Sequence, residues 1–376
     1  MRKRRLMIAA GGVVAIAIAL AGCAGTSSTP SGSATGHSTI SPKVQAELAP
    51  YLKPTTKLTV NTPLSKTPPK GKKVFMLSNG IEITQLTAAG IKAASEALGW
   101  SFSTISVDAS NPTTTNSAML SAVAQGADVV ILTATDLSIY SQALAVAQQH
   151  GTVVIDMASG NKPTPGITAL VNNASHTPIW GKIAALGILA DAQKADKDAN
   201  VAIVTAPVFD TILGPGNTAV ENTVKANCTA CTVGTIPISA GDLFGGKTPP
   251  DVVSYLQSHP TVNYLMLGFG GFDDGLRPAL QAAGFSKVKI FGIAPVETQL
   301  KSVSAGEEGG WVSDPLAISG WMAVDAAARS FTGDDPTAYD KVGIPTFLFT
   351  KKTAGLGAEV PVDYQSQFKK MWGVKN

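Results

Sequence analysis

Apolar and polar positions alternate regularly along the chain from about Lys72 onward. Short, almost uniformly apolar runs such as "KKVFMLS", "ADVVILTA" and "TVVIDMA" predict strands that are covered on both faces, as in a parallel sheet. Between them lie segments with apolar residues at helical spacing, for example "ITQLTAAGIKAASEALGW", whose helix should end at Gly99. Strands that alternate with helices of this length predict an α/β fold with a doubly wound parallel sheet.

The same pattern starts again after a long predicted helix, "TPIWGKIAALGILADAQ". The stretches "ADVVILTATDLSIYSQALAVAQQHGTVVIDMA" and "VNYLMLGFGGFDDGLRPALQAAGFSKVKIFGIA" share the order strand, short loop, helix, glycine and strand at nearly equal spacing. A later stretch, "EGGWVSDPLAISGWMAVDAAARSFTG", adds a strand, a bend at Asp314-Pro315 and another helix. This repetition of architecture predicts two similar lobes.

A basic and then apolar segment precedes this pattern. From Leu6 to Ala21 there are roughly 16 apolar residues, fewer than the ~20 of a membrane-spanning helix, and four basic residues stand before them. This is the layout of a secretory signal. The ending "LAGC" resembles the lipobox of bacterial lipoproteins, which implies that residues 1–22 are a signal peptide and that Cys23 carries the lipid. Cleavage near Ala21 or Ala24 beside an incidental cysteine is the alternative.

Composition changes after Cys23. The stretch from Ala24 to about Ser41 is rich in Ser, Thr, Gly and Pro, and we expect a flexible tether there, within an N-terminal extension that spans residues 23–71. The formal net charge is +3, but four positive charges belong to the signal, and Lys and Arg form no stripe elsewhere. The sequence therefore predicts no nucleic-acid binding.

Two further cysteines, Cys228 and Cys231, stand close together in "NCTACTVG". An extracytoplasmic compartment favours a structural disulfide between them. A zinc site would need a second cysteine pair or a nearby pair of histidines, and a redox pair would begin a helix, whereas this pair precedes the predicted strand 232–237. We predict a disulfide and neither a metal nor a cofactor.

The region from about Lys72 to Gly373 resembles the type I periplasmic binding proteins, in particular the sugar-binding proteins of ABC importers. The resemblance rests on "AAGIKAASEALGW", "AVAQGADVVIL", "AQQHGTVVIDMA", "RPALQAAGF" and "DPLAISGWMAVDAAARSFTG", which occur in the family's order. It implies three crossovers between the lobes, near 171–173, 311–314 and 342–344. The first lobe would comprise residues 72–172 and 314–342, and the second lobe residues 173–313 and 343–376.

Candidate ligand-binding residues follow from the position of the loops. The catalytic motifs G-x-S-x-G, H-E-x-x-H and the P-loop are missing. Ligands of open α/β sheets bind beyond the carboxyl ends of the strands, in a cleft that two lobes close by a hinge motion. The candidates in the loops after the strands are Asn79, Glu82, Thr84, Asp136, Asp156, Asn173, Phe209, Asp242, Phe269, Asp273 and Trp311. Aromatic faces and carboxylates suit a polyhydroxylated ligand, although an aspartate at such a position can equally be a helix N-cap and an aromatic residue can belong to the core.

Several positions depart from the pattern of the sugar binders that the chain resembles. Met157 stands where an arginine is usual, Ile83 and Thr84 replace an aromatic pair, and "GIA" at 292–294 replaces Gly-Phe-Asp. The arginine expected near "TILGPGNTAVE" is also missing. A polyol, a modified sugar or a more apolar molecule therefore fits as well as an ordinary aldose, whereas an anionic ligand would meet carboxylates without a basic partner.

The resemblance implies a solute-binding protein that is monomeric, non-catalytic and anchored by lipid to the outer face of the cell membrane. It would deliver a small neutral sugar-like or polyol ligand to the membrane subunits of an ABC importer. Sensing for a membrane receptor is an alternative, and a glycoside hydrolase with a carboxylate pair is a less favoured one.

Overall fold

The computed structural model describes residues 40–108, 111 and 113–374. The predicted signal, Cys23 and most of the predicted tether lie outside the described residues. The helices are α1 (Pro42–Leu48), α2 (Glu82–Leu98), α3 (Thr114–Ala124), α4 (Leu137–Gln149), α5 (Thr177–Lys194), α6 (Asp210–Asn227), α7 (Ala240–Phe244), α8 (Thr248–Ser258), α9 (Leu276–Ala282), α10 (Glu297–Ala305), α11 (Leu316–Thr332) and α12 (Tyr364–Trp372). In this part of the chain no helix is long and apolar enough to cross a bilayer.

The strands form two sheets. They are β1 (Lys73–Ser78), β2 (Ser101–Ser106), β3 (Val129–Thr133), β4 (Val153–Met157), β5 (Ala169–Val171), β6 (Asn200–Thr205), β7 (Thr232–Pro237), β8 (Tyr264–Leu267), β9 (Lys289–Ile293), β10 (Gly310–Val312) and β11 (Leu348–Phe349). The first sheet has the order β2-β1-β3-β4-β5 and the second β11-β10-β9-β8-β6-β7. All neighbours run parallel except β11, which is antiparallel to β10. The predicted fold class, two doubly wound parallel-sheet lobes, is confirmed.

The chain passes between the sheets where the repeating pattern changes. It leaves the first sheet after β5, returns after β10 to form α11 beside α2, and enters the second sheet again at β11. The position of the last helix differs from the expected division, in which residues 343–376 belong to the second lobe. Helix α12 packs on α11 of the first lobe, where the rings of Trp321 and Trp372 stack with centroids 5.2 Å apart. The apolar side of α12, formed by Phe368, Met371 and Trp372, is buried in this contact.

The extension before β1 is packed against the rest of the chain from residue 41 onward, where the expected tether ends. Helix α1 lies on α5 of the second lobe, where Lys182 pairs with Glu47 at 2.8 Å. Further along, the backbone N–H of Leu64 donates to the carbonyl oxygen of Met371 in α12 at 2.9 Å. Because residues 41–65 contact both lobes, we call this segment the N-terminal strap.

Each lobe contains one pair of helices whose backbones touch. Between α2 and α11, a Cβ atom on Gly320 would lie 2.6 Å from the carbonyl oxygen of Thr87, and one on Gly90 would overlap Ala317. Between α5 and α6, a Cβ atom on Gly181 would overlap the carbonyl oxygen of Gly216. Only glycine allows this approach, because the atoms in the way belong to the backbone and cannot move aside.

In each lobe an aspartate on the helix that follows a crossover, α11 in the first lobe and α5 in the second, binds a tyrosine and a basic side chain. In the first lobe Asp325 on α11 is buried and accepts hydrogen bonds from Arg329 Nε at 2.7 Å, Tyr339 OH at 2.7 Å and Trp372 Nε1 at 2.6 Å. Arg329 also donates to the carbonyl oxygen of Thr62 in the strap, 2.8 Å away. This network joins α11, α12 and the strap.

The corresponding group in the second lobe lies at the surface. Asp191 on α5 accepts from Tyr264 OH at 2.7 Å and pairs with Lys289 at 2.7 Å, but about a quarter of its side chain and half of the lysine are exposed. Solvent therefore screens this ion pair, whereas the Asp325 network is shielded.

Cys228 and Cys231 form a disulfide between α6 and β7, with their Cα atoms 5.4 Å apart. The backbone N–H of Ala199 lies 3.0 Å from the Sγ atom of Cys231. Asp198 lies close to both sulfur atoms, but sulfurs in a disulfide offer no thiolate to a metal.

Candidate ligand-binding cleft

A cavity of about 100 Å³ lies between the lobes, at the carboxyl ends of strands from both sheets. We call it the inner cavity. The first lobe and its crossing segments contribute Asn79, Ile81, Ile83, Thr84, Thr87, Thr133, Ala134, Met157, Ala158, Asn172, Asp314, Leu316 and Ser319. The second lobe contributes Trp180, Phe209, Ile212, Leu213, Gly268, Phe269, Ile293 and Ala294.

A second cavity of about 150 Å³, the outer cavity, shares Asn79, Thr133, Ala134 and Phe209 with the inner one. Its other lining residues are Leu77, Val107, Asp108, Thr115, Thr135, Asp136, Ile139, Val208, Thr211 and Phe244. No Lys, Arg or His stands among the described residues that line either cavity.

Backbone strain is concentrated on the wall of the inner cavity. Five described residues other than glycine have a positive φ, and four of them line this cavity: Ala134 (50°), Ala158 (48°), Asn172 (56°) and Ala294 (54°). Each follows directly on the end of a strand, at β3, β4, β5 and β9. L-residues rarely adopt this conformation, and such residues cluster at ligand sites, where the surrounding structure holds them.

Ladder hydrogen bonds hold three of these strained residues in place. The backbone N–H of Ala134 donates to Met157 O at 2.9 Å, that of Ala158 to Val171 O at 3.0 Å, and that of Ala294 to Val312 O at 3.0 Å. Each sheet therefore continues its pairing for one residue beyond the strand before the chain turns away. The turns place small side chains at the cavity wall and leave the space above the sheet edge open.

One end of the inner cavity is polar and is built from two crossovers. Asn172 follows β5, Asp314 follows β10, and the Nδ2 group of Asn172 donates to the Oδ1 atom of Asp314 at 3.1 Å. The Oδ1 atom of Asn172 and the Oγ atom of Ser319 are buried and have no partner. Buried polar atoms without a partner are uncommon in proteins, so this end of the cavity has unused hydrogen-bonding capacity.

Burial raises the pKa of Asp314 to about 7, the hydrogen bond from Asn172 opposes this shift, and the nearby charge of Glu359 adds to it. Glu359 itself accepts from the backbone N–H groups of Ala317 and Ile318, each at 2.9 Å, at the start of α11. Glu359 is therefore already satisfied by the helix terminus, whereas Asp314 lines the cavity.

Four of the predicted residues line the inner cavity: Asn79, Thr84, Phe209 and Phe269. The hydroxyl of Thr84 lies 2.9 Å from the Oδ1 atom of Asn79, and the rings of Phe209 and Phe269 meet edge to face with centroids 5.8 Å apart. A fifth predicted residue, Asp136, lines the outer cavity and caps α4 by accepting from the backbone N–H of Ser138 at 2.8 Å. The hydrogen bonds from Ser138 lower the pKa of Asp136.

Asp156, a predicted contact, lines neither cavity. Its side chain is buried beneath the cleft, where its Oδ2 atom accepts from Tyr140 OH at 3.0 Å, Ser159 Oγ at 3.0 Å and Asn161 Nδ2 at 2.6 Å. Burial raises its pKa to about 6, and these hydrogen bonds oppose the shift. Side chains alternate along a strand, so it is the neighbour Met157 that lines the cavity.

Asp273 and Trp311 are likewise placed inside the second lobe rather than in the wall. The Oδ2 atom of Asp273 accepts from Gln299 Nε2 at 3.2 Å, and Trp311 Nε1 donates to Glu308 at 2.5 Å. Burial raises the pKa of both carboxyls, Asp273 and Glu308. The Trp311 ring lies so close to Gly292 that it fills the space where a side chain at that position would stand.

The remaining three predicted residues also lie outside both cavities. Glu82 is exposed in the first turn of α2. Asn173 caps a short 3₁₀ helix, with its Oδ1 atom accepting from the N–H of Ser175 at 2.9 Å. Asp242 lies in the first turn of α7, where Ser239 and Lys247 bind it. These polar residues stabilise helix starts, which is the alternative that the sequence had left open.

The polar residues Asn172, Asp314 and Ser319 are not among the predicted contacts. The available signal was their position: Asn172 and Asp314 each stand just past the last strand before a crossover, and Asp314 precedes a proline that bends the chain. By contrast, the positions that depart from the sugar-binder pattern, Ile83, Met157 and residues 293–294, all line the inner cavity.

The fold and the cleft define a two-lobed solute-binding protein. A family model described as periplasmic binding protein domain matches residues 73–335, and the chain belongs to this family. The family places the protein outside the cytoplasm. No curated protein sequence matches the chain.

Solved structures share the fold at low sequence identity. A carbohydrate transporter solute-binding protein from Agrobacterium radiobacter, in complex with D-arabinose, has 17% identity and a TM-score of 0.65, covering 80% of this chain and 99% of that chain. A carbohydrate transporter from Acidothermus cellulolyticus in complex with myo-inositol has 15% identity and a TM-score of 0.62, covering 81% and 100%. A putative LacI transcriptional regulator from Bacteroides fragilis has 14% identity and a TM-score of 0.64, covering 77% and 99%.

Proposed function

We propose that this chain is the solute-binding component of an ABC importer and acts as a monomer anchored to the outer face of the cell membrane by a lipid on Cys23. It captures one small molecule between its lobes and presents the closed form to the membrane subunits of the importer. The observation that carries the proposal is the inner cavity, because residues of both lobes line it and the crossovers form one of its ends. A ligand bound there holds the lobes together and shifts the protein toward the closed form.

Sugar complexes among the structural neighbours support a small organic ligand. A glycoside hydrolase is disfavoured, because such an enzyme places two carboxyl groups on either side of the scissile bond. Of the described residues that line the inner cavity, only Asp314 carries a carboxyl group, and Asp156 lies beneath the wall. The same fold also occurs in a putative transcriptional regulator, so ligand sensing is the second candidate.

A matched pair of tryptophan variants on α2 tests the binding site. Ile83 lines the inner cavity, and Ile83→Trp should fill it, whereas Leu86 on the same helix is 38% exposed and lines neither cavity. Calorimetric titration with a ligand found in a thermal-shift screen should give one site per chain for the parent and Leu86→Trp, and no binding for Ile83→Trp. Equal binding by both variants would place the ligand elsewhere.

Uptake assays in a strain that lacks the protein distinguish import from sensing. Import of the labelled ligand should be lost on deletion and be restored by the parent but not by Ile83→Trp. Unchanged import together with a lost transcriptional response to the ligand would favour the sensing role.

Fractionation of cells tests the anchor. Cys23→Ala should move the protein from the membrane fraction to the soluble extracytoplasmic fraction, or leave the uncleaved precursor behind. A mature Cys23→Ala protein that still sediments with membranes would contradict the lipid anchor.

A further inference from the structure

The wall of the inner cavity is mainly apolar on both sides. Ile81, Ile83 and Met157 line it from the first lobe, and Ile212, Phe269 and Ile293 from the second. A polyol offers a hydroxyl on almost every carbon, and each hydroxyl loses its bonds to water when the cleft closes. Without a protein partner, each buried hydroxyl costs free energy. A wall of this composition therefore favours a ligand with an apolar body.

The two threonine hydroxyls that α2 presents to the wall do not offset this cost, because they already bind their own lobe. The Thr84 hydroxyl donates within its loop, to the carbonyl oxygen of Ile81 at 2.8 Å or to Asn79 Oδ1 at 2.9 Å. The Thr87 hydroxyl donates to the carbonyl oxygen of Ile83 at 2.9 Å. These donors stabilise the first turns of α2 and are not available to a ring of ligand hydroxyls.

Among the described residues that line the inner cavity, the buried polar atoms without a partner belong to Asn172 and Ser319. Asp314 accepts a single protein hydrogen bond, from Asn172, and the buried acceptors Asn172 Oδ1 and Ser319 Oγ have no partner. Asn172 and Asp314 are in contact and Ser319 lines the same apolar cavity, so these acceptors match one donating group of a ligand, such as an ammonium or a hydroxyl.

The charge of the cleft excludes anions. Asp314 in the inner cavity and Asp108 and Asp136 in the outer cavity are acidic, and neither cavity has a basic lining residue among those described. An anionic ligand would be repelled by these carboxylates and would find no arginine whose paired N–H groups could bind it. A cationic end group would instead supply the partner that a buried carboxylate needs, and would return the pKa of Asp314 from about 7 toward its ordinary range despite the neighbouring Glu359.

We propose that the cleft binds a small, largely apolar molecule whose single hydrogen-bond-donating end group, an ammonium or a hydroxyl, is held by Asp314, Asn172 and Ser319. The inference rests on the proposed solute-binding function and narrows its ligand from the sugars of the structural neighbours to apolar amines and alcohols. Asp314 and Asn172 belong to two different crossovers, so the end group also joins the segments that move when the lobes close.

The test uses probes that share one body and differ at one end. Benzylamine, benzyl alcohol and benzoate, together with cyclohexylamine, cyclohexanol, D-arabinose and myo-inositol, are titrated calorimetrically into the mature protein. We expect the amines or the alcohols to bind at least tenfold more tightly than benzoate and than either polyhydroxylated probe. Failure of every amine and alcohol overturns the inference, as does equal or tighter binding of benzoate.

Variants assign the end group. If the end group is an ammonium, Asp314→Asn should weaken amine binding at least tenfold and change alcohol binding little. If the end group is a hydroxyl, the parent should bind alcohols as well as amines. Asp335→Asn is the matched control, because Asp335 lines neither cavity and caps a short 3₁₀ helix by accepting from the N–H of Thr337 at 2.9 Å, which asparagine can also do. It should leave affinities within about twofold. Loss of binding in Asp335→Asn but not in Asp314→Asn would overturn the assignment of the polar end.

The outcome separates this inference from the proposed function. If arabinose or inositol binds and the apolar probes do not, the ligand class is wrong while solute binding stands. If no probe binds, Ile83→Trp changes no property of the protein and deletion leaves import intact, both the inference and the solute-binding function fail.

Discussion

The two lobes are built alike but present different faces to the cleft. To the inner cavity the first lobe contributes hydroxyl and amide side chains together with aliphatic ones, whereas the second contributes aromatic and aliphatic side chains, with no hydroxyl, amide or carboxyl group among its described lining residues. Phe209 and Phe269 of the second lobe meet edge to face and form a rigid apolar surface. In the proposed binding mode the second lobe supplies the apolar surface and the crossovers of the first lobe supply the polar end.

The lobes also differ in the hydrogen bonds that hold α11 in the first lobe and α5 in the second. Asp325 of the first lobe is buried with three donors, while about a quarter of the Asp191 side chain in the second lobe is exposed, beside a half-exposed Lys289. Replacing Asp325 by alanine should lower the free energy of unfolding by about 3–5 kcal/mol, because Arg329 is left buried without its partner. Asp191→Ala should cost less, about 1–2 kcal/mol, since solvent screens the ion pair and the main loss is the hydrogen bond from Tyr264 OH.

Urea denaturation of both variants, followed by tryptophan fluorescence, gives the two free energies. Arg329→Lys is a useful companion, because lysine keeps the charge but loses the fork that reaches both Asp325 and Thr62. Similar losses for Asp325→Ala and Asp191→Ala would show that burial does not distinguish the two groups.

Glycine contacts between helices should be nearly equivalent in the two lobes. Gly320→Ala in the first lobe and Gly181→Ala in the second both place a methyl group against backbone of the neighbouring helix. Each should destabilise the protein by about 3 kcal/mol, since overpacking against backbone forces the helices apart. Thermal unfolding checks this.

Gly241→Ala on α7 is the control for these variants. Its nearest neighbour would be the Ser239 hydroxyl at 3.8 Å, an ordinary contact, so alanine should stabilise the helix by up to about 1 kcal/mol. A loss in Gly241→Ala equal to that in Gly181→Ala would mean that the close helix contact is not the cause.

Buried carboxyls in both lobes should make the protein more stable in mild acid. Burial raises the pKa of Asp156 in the first lobe to about 6, and raises the pKa values of Asp273 and Glu308 in the second. A carboxyl whose pKa is raised in the folded state binds its proton more tightly there than in the unfolded chain. Its contribution to stability is therefore complete below pH ~4 and is lost as the pH rises through about 6.

Asp156→Asn should reduce the change in the free energy of unfolding between pH 4 and 8 by about 2 kcal/mol. Asparagine keeps an acceptor for Tyr140 and Ser159 but cannot ionise. Asp273→Asn tests the second lobe in the same way, although Glu308 remains beside it. Urea midpoints at several pH values measure the slope, and a variant with the parent's slope would contradict a shifted pKa at its position.

The smallest effect concerns the strained alanines at the strand ends. Ala158→Gly in the first lobe and Ala294→Gly in the second should each stabilise the protein by up to about 1 kcal/mol, because glycine adopts a positive φ without strain. Ala97→Gly within α2 should instead cost about 1 kcal/mol. A loss at all three positions would indicate that the strand-end turns are not strained.

The periodicity of the sequence was sufficient for the fold because the strands are buried on both faces. Runs such as "ADVVILTA" have few other stable placements, and the repeated order of elements then defines two sheets. The strap was not foreseen, since Val44, Leu48, Leu58 and Val60 are isolated apolar residues in a polar, proline-containing stretch. They are buried only because both lobes offer a surface to them.

Those cavity-lining residues were predictable that simply follow the end of a strand. Asn79, Phe209 and Phe269 follow strands, and the carboxyl ends of parallel strands meet at one edge. Asp156 and Asn173 were each one residue away from the position that lines the cavity, because alternation and a left-handed turn determine which neighbour faces inward. Such one-residue differences depend on backbone geometry that the residue types alone do not specify.

The contact between the strap and α12 has a consequence for the order in which the chain can fold. The amide of Leu58 bonds Gln367, 309 positions further along, and Trp372 of the same helix bonds Asp325. Contacts this distant in sequence close very long loops and form late. During synthesis the first lobe therefore stays incomplete until the final helix has emerged, with Trp321 uncovered until then. The earliest described residues of the chain are thus among the last to reach their native positions.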